Sequence, residues 1–235
     1  MEISEAIRKR RSIKKYQNIP IEWNIIGAIL DAGRLAPSAG NLQPWKFIVV
    51  RSEENRKKIS EACYQQYWMQ TAPVHIIIFA EINKMNRFYG LRGERLYSIQ
   101  SCALAAQNIM LEAINQGLGC CFVSAFDEEM ISRYFSIPSF GRPQAIITLG
   151  YAAEDVPQPP KYTLNDVVHL EKFGSKFRDF EGYLGYGSGR DIKNFVMNSK
   201  NKLDDIGSKG ESFLKKFTQN IKEKMNKDKN NKENK

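Results

Sequence analysis

Long apolar runs, histidines and paired cysteines are all scarce in this chain, and each scarcity closes off a class of protein. No apolar run reaches the roughly 18–20 residues that a bilayer span requires. The opening segment, MEISEAIRKRRS, lacks the apolar stretch of a secretory signal, so the expected compartment is the cytoplasm. The two histidines, His75 and His169, have no partners at metal-ligand spacing. His75 lies in the apolar run VHIIIFA and reads as a hydrogen-bonded strand residue. The four cysteines, Cys63, Cys102, Cys120 and Cys121, form no CxxC pair, and neighbours in sequence are poorly placed to bond each other. No disulfide framework and no metal site is therefore expected. Absent too are GxGxxG after a strand, GxxxxGK[ST], GxSxG and HExxH. A chain without such signatures points to chemistry supplied by a bound cofactor.

What is present describes a soluble globular protein. Hydrophobic residues make up 42% of 235 and charged residues 26%, enough for one sizeable domain with some sequence left over. The net charge of +9 looks like a nucleic-acid signal, yet residues 200–235 alone carry +5. The remainder is nearly balanced and shows no basic stripe with interleaved aromatics, so no nucleic-acid partner is expected.

Hydrophobic periodicity predicts helices over 2–10, 22–35, about 53–68 and 94–116, with a short helix in DEEMISRYFSI opened by Asp127 as N-cap. Strands are predicted in WKFIVVR (45–51), PVHIIIFAE (73–81), CCFVSA (120–125) and PQAIITLGY (143–151). The second is apolar for long enough to be buried on both faces. The 94–116 helix is apolar almost all round, which places it in a core or an interface. Strands alternating with helices give an α/β or α+β domain over 1–172, ended by the proline-rich VPQPPKY. An extension over 173–199 concentrates Phe173, Phe177, Phe180, Tyr183 and Tyr186, which should pack on the body or on a partner subunit. In the tail, 200–235, an apolar stripe from Ile206 to Met225 lies among lysines, and the last ten residues read as disordered. The stripe suits packing on the body; contact with an anionic membrane surface is the rival reading.

Two segments have the chemistry of a ligand site. In RKRRSIKKY (8–16), Arg10, Arg11, Ser12 and Lys14 form a dense set of phosphate donors, or else a solvated basic helix end. In PSAGNLQPW (37–45), small residues permit close approach of a planar ligand, while Ser38, Asn41 and Gln43 offer donors and acceptors. A surface turn leading into a strand is the plain alternative.

Taken together, RRSIKKY at 10–16 and APSAGNLQPW at 36–45 resemble the nitroreductase superfamily of FMN proteins. The resemblance runs on through YSIQSCALAAQNIMLEA (97–113), GLGCCFVSAFDEE (117–129) and LGYAAEDVPQPPK (149–161), in order. It implies an α+β fold with a central, mostly antiparallel sheet flanked by helices, in an intertwined homodimer whose core holds the 94–116 helix. It implies FMN as cofactor, NADH or NADPH as electron donor, and ping-pong transfer to a small organic acceptor of nitroaromatic or quinone type. Arg10, Arg11, Ser12 and Lys14 would hold the phosphate and ribityl chain, with Lys161 approaching the same phosphate. Pro37, Ser38, Ala39, Asn41 and Gln43 would cover the flavin from the other subunit, and Val123, Ser124 and Ala125 would lie against its ring. The chain departs from the family pattern at Ser101, Phe122 and Ser124, which border the substrate side. A specialised reaction on the same fold (dehalogenation, azoline oxidation, flavin fragmentation) and a flavin-binding protein without turnover stand as alternatives.

Overall fold

A computed structural model describes residues 1–176; the expectations for the aromatic segment beyond them and for the tail lie outside the described residues. The chain divides into two units, Met1–Pro159 and Pro160–Lys235, the break falling inside the proline-rich segment.

The strand that organises the first unit is β2 (Val74–Glu81), VHIIIFAE, in which every residue from Val74 to Ala80 is buried. Successive side chains in a strand face opposite ways. Ile76, Ile78 and Ala80 therefore belong to one core, and Ile77 and Phe79 to another. Burial on both faces matches the expectation from the sequence. β1 (Trp45–Val50) pairs with one edge of β2 and β4 (Gly141–Gly150) with the other, while β3 (Gly119–Val123) pairs with β4. The order is β1-β2-β4-β3 with every pairing antiparallel.

Helices cover both faces. The first core joins the sheet to α1 (Ile3–Lys9), α2 (Trp23–Arg34) and α5 (Ser98–Asn115) through Ala6, Ile26, Ile29, Ala105, Ala106 and Ile109. The second joins it to α3 (Glu53–Ala62) and α6 (Glu128–Tyr134) through Ile59, Ala62 and Ile131. Each large aliphatic side chain fully removed from water contributes about 1.5–3 kcal/mol. Helices α2 and α5 meet at Gly33, where an added Cβ would stand 2.6 Å from the Ile109 side chain. Asp127 caps α6 as expected, accepting from the Met130 N–H at 2.8 Å. The result is an α+β fold with a central antiparallel sheet flanked by helices.

Three elements differ from the sequence reading. Helix α3 stops at Ala62 because Tyr64 and Gln65 take left-handed backbone, φ 55° and 61°. The 94–116 helix starts only at Ser98; the turn before it, Gly93–Tyr97, is π-helical. A further helix, α4 (Ile82–Arg92), has no counterpart in the sequence reading and is kinked at Gly90 (φ 58°). The second unit contributes α7 (Leu164–Val167), opened by a capping box between Thr163 and Asp166.

Candidate functional site

Beyond α1 the chain becomes extended and is laid between β3 and residues 151–156. The Ile13 N–H donates to the Cys120 carbonyl at 3.0 Å, and Ser12 bridges Cys120 in parallel. On the other side Tyr16 bridges Ala152, Gln17 N–H donates to the Tyr151 carbonyl at 2.8 Å, and Ala153 N–H donates to the Lys15 carbonyl at 2.9 Å. Tyr16 is the anchor: its buried hydroxyl lies 2.7 Å from both the Ile13 carbonyl and Thr148 Oγ1. Burial pushes its pKa well above the usual phenol range. One carboxylate oxygen of Glu154 accepts from the main-chain N–H groups of Lys14 (2.7 Å) and Lys15 (3.1 Å).

Because an extended run alternates its side chains, the four predicted donors separate. Ser12 shares a hydrogen bond with the Cys121 thiol, and the Arg10 and Lys14 charges act on the same group. Burial raises that thiol's pKa, while the Lys14 charge, a hydrogen bond with Ser12 and the Arg10 charge oppose the rise. Arg11 is spent elsewhere: its Nε donates to the Val156 carbonyl at 3.2 Å, and Nη1 donates to the carbonyls of Arg8 (2.6 Å) and Arg10 (2.8 Å). The Arg10 guanidinium has no hydrogen bond or ion pair among the described residues. A guanidinium, a hydroxyl and an ammonium within five residues form a donor set suited to a phosphate dianion.

The second segment folds on itself. Gly40, Asn41 and Gln43 have φ of 56°, 54° and 49°. Ser38 Oγ accepts from the Gln43 N–H at 2.9 Å, and the Gln43 amide donates to the main-chain and side-chain oxygens of Asn41, both at 3.2 Å. Tyr89 of α4 presses its hydroxyl onto Gly40, where a Cβ would collide with it. Tyr89 in turn meets Tyr97 edge to face, 5.3 Å between centroids. Pro37, Ser38 and Ala39, with Tyr97, Gln100, Ser101 and Leu104, line a cleft of about 280 Å³.

At the end of β3, Val123 is buried in the second core, while Ser124 and Ala125 are exposed. Only the Val123 main chain is thus available to a ligand. Lys161 is exposed and belongs to the second unit. The sequence reading gave no role to Glu154 or Tyr89, and it quoted Tyr16 only as the last residue of RRSIKKY, although all three shape the two segments. The strand assignment of His75 is borne out. Its Nε2 lies 3.0 Å from the Met69 carbonyl, Nδ1 is without a partner, and burial lowers its pKa to about 4. Burial also pushes the thiols of Cys63, Cys102 and Cys120 up to about 12, so they stay protonated and poorly nucleophilic.

The fold and these segments define an α+β protein with a docked cationic run and a left-handed small-residue loop. The nitroreductase family model matches residues 7–68 and 62–151, more than half of the chain. A chain from Methanothermobacter thermautotrophicus, provisionally named an NADH dehydrogenase/NAD(P)H nitroreductase, is 38% identical over 179 residues, covering 74% of this chain and 88% of its own length. The FMN reductase (NAD(P)H) of Bacillus subtilis is 25% identical over 186 residues, 73% of this chain and 74% of that one. Among solved structures, an FMN-dependent nitroreductase of Clostridium difficile R20291 matches with a TM-score of 0.63 at 28% identity, over 72% of this chain and 98% of the other. The chain belongs to the nitroreductase family.

Proposed function

We propose that this protein is an FMN-dependent oxidoreductase that passes electrons from NADH or NADPH to a small organic acceptor, nitroaromatic or quinone in type, in alternating half-reactions. The observation that carries the reading is a run bearing Arg10, Ser12 and Lys14 that is docked by main-chain hydrogen bonds to β3, residues 151–156 and Glu154, in a member of this family. The donor set fits the phosphate and ribityl hydroxyls of FMN. When bound, FMN supplies the hydride and electron transfer, so the protein's task is to bind and orient it. Arg10 and Ser12 hold the phosphate end, and Lys14 stands beside them. Arg11 fixes the run to the Val156 carbonyl and so acts on the ligand indirectly. Exposed Ser124 and Ala125, with the Val123 main chain, face the ring.

The loop Pro37–Gln43, with Pro37, Ser38, Ala39, Asn41 and Gln43, serves the flavin of a second copy. Supporting this, the outward face of α5 leaves Ile99 and Leu104 42% and 45% exposed, while its opposite face is core. Leu104 also borders the cleft lined by Pro37–Ala39. Apolar residues so placed suit a homodimer interface. Light scattering on the purified protein should give twice the chain mass of 27.0 kDa.

The direct test is an absorbance spectrum followed by anaerobic addition of NADH or NADPH. Flavin bands that bleach on adding a nicotinamide support the reading. Colourless protein that takes up no added FMN sinks it.

A further inference from the structure

We infer that Trp68 is a positioning residue, whose indole face holds the Lys14 ammonium ready for the phosphate-bearing ligand while Gln66 locks that indole to the end of β3. The inference rests on the FMN reading above and adds Trp68 and Gln66, which neither the motifs nor the family resemblance singled out.

The Lys14 Nζ lies over the Trp68 ring, 5.6 Å from its centroid. Lys14 is exposed, its ammonium has no ion pair among the described residues, and Glu154 accepts from its main-chain N–H. A lysine on a four-carbon stem would otherwise sample many rotamers. An acidic partner could hold it, but would cancel its charge and occupy its donors. The face of an indole attracts a cation through its quadrupole and leaves the charge and the N–H donors available. An aromatic platform is thus the better support for a lysine that must meet an anion.

Trp68 is itself held on several sides. Its Nε1–H donates to Gln66 Oε1 at 3.2 Å, and its carbonyl accepts from Thr71 Oγ1 at 2.8 Å. The ring packs against the cluster of Ile13, Tyr16 and Ala72 under the extended run, and against the second core. Gln66 uses its other end to donate to the Ala125 carbonyl at 3.4 Å. Just before it, Tyr64 and Gln65 hold left-handed backbone, a conformation non-glycine residues keep only where the surroundings enforce it. Asp127 N–H, donating to the Ala62 carbonyl at 2.8 Å, closes the same loop against the turn after β3. A continuous path, Lys14–Trp68–Gln66–Ala125, therefore joins the phosphate face to the residues that face the ring.

The test is a double-mutant cycle on FMN affinity, read by quenching of flavin fluorescence in wild type, Lys14→Met, Trp68→Leu and the double variant. Trp68→Leu should weaken FMN about three- to tenfold alone and less than about twofold when Lys14 is already gone. Trp68→Phe, which keeps an aromatic face but loses the Nε1–H bond to Gln66, should fall between wild type and Trp68→Leu. Gln66→Leu, a milder change at a half-exposed position, should likewise act only when Lys14 is present, and serves if Trp68→Leu does not fold. Equal losses with and without Lys14, or unaltered affinity in both the Trp68→Leu and Gln66→Leu proteins, would overturn the inference. Wild type that binds no FMN would instead reject the function on which it rests.

Discussion

The two segments that form the candidate site keep their shapes by opposite means. The Arg10–Tyr16 run is shaped from outside: β3, residues 151–156 and the Glu154 carboxylate supply its main-chain partners. The Pro37–Gln43 loop is shaped from inside, by three left-handed residues and by hydrogen bonds among Ser38, Asn41 and Gln43. An extended run has no local main-chain hydrogen bonds, so its backbone geometry depends on residues more than a hundred positions away. A loop closed on itself depends on its own composition. Mutations should sort accordingly, with remote changes disturbing the first segment and local changes the second.

The largest effect should come from Arg10, whose guanidinium has no hydrogen bond or ion pair among the described residues. Arg10→Ala removes a guanidinium able to make two charge-assisted bonds of about 1.5–3 kcal/mol each. FMN affinity, measured by titration, should fall about a hundredfold or more, with little loss of fold stability. Arg11→Met should do the reverse, lowering the melting temperature through three lost carbonyl contacts and moving FMN affinity less. An Arg10→Ala protein that keeps its flavin would transfer the phosphate to another site.

Acid should separate the segments next. His75 in β2 accepts a neutral form in the fold, since burial lowers its pKa from 6.5 to about 4. Above pH 6.5 both folded and unfolded states hold it neutral and its contribution is intact. As pH falls from 6.5 towards 4 the unfolded chain takes up the proton first, so stability is lost across that window, by roughly 3 kcal/mol in all. Its ring meets the Met69 carbonyl, in the turn that also carries Trp68, so the first segment should loosen before the second. Urea melts at pH 7 and pH 4.5 should show a smaller difference for His75→Gln than for wild type; an equal difference would assign the acid sensitivity to other groups.

Gly40 tests the second segment. Alanine there must adopt φ 56° and also push aside the Tyr89 hydroxyl. The strain is of order 1–3 kcal/mol. Flavin uptake should weaken, because the loop can escape strain by opening, while the melt changes little. A full-sized drop in melting temperature with normal uptake would show that the loop is part of the core instead.

The legibility of these features in the sequence follows the same division. The sheet was readable because β2 is an apolar run rich in β-branched residues and the other strands are short apolar runs between breakers. The loop was readable as a loop because its shape is encoded in its own small and polar residues. The run at 10–14 was readable as chemistry and not as geometry: four donors stood out, but only its docking shows that Arg11 turns away. Helix α4 escaped because Gly90 and Gly93 interrupt its pattern, and α3 seemed longer because nothing in YQQYW announces left-handed backbone at Tyr64 and Gln65. Both errors occur where tertiary contacts, not local preference, fix the backbone.

The smallest effects give the sharpest contrast, because each removes a single acceptor from one segment. Glu154→Ala takes away the oxygen that receives the Lys14 and Lys15 N–H groups, and Ser38→Ala takes away the one that receives the Gln43 N–H. Both sites are open enough for water to replace part of the loss, so each bond is worth about 0.5–1.5 kcal/mol. For Glu154→Ala the loss should appear in both the urea melt and FMN affinity, since the run is stitched into the sheet it binds beside. Glu154→Gln retains an acceptor oxygen and should recover most of it. Ser38→Ala should leave the melt within about 0.5 kcal/mol of wild type and lower FMN affinity alone, because a self-closed loop can loosen without disturbing the body. Were Ser38→Ala to destabilise the whole fold while Glu154→Ala affected only the ligand, the assignment of outside and inside support would have to be exchanged.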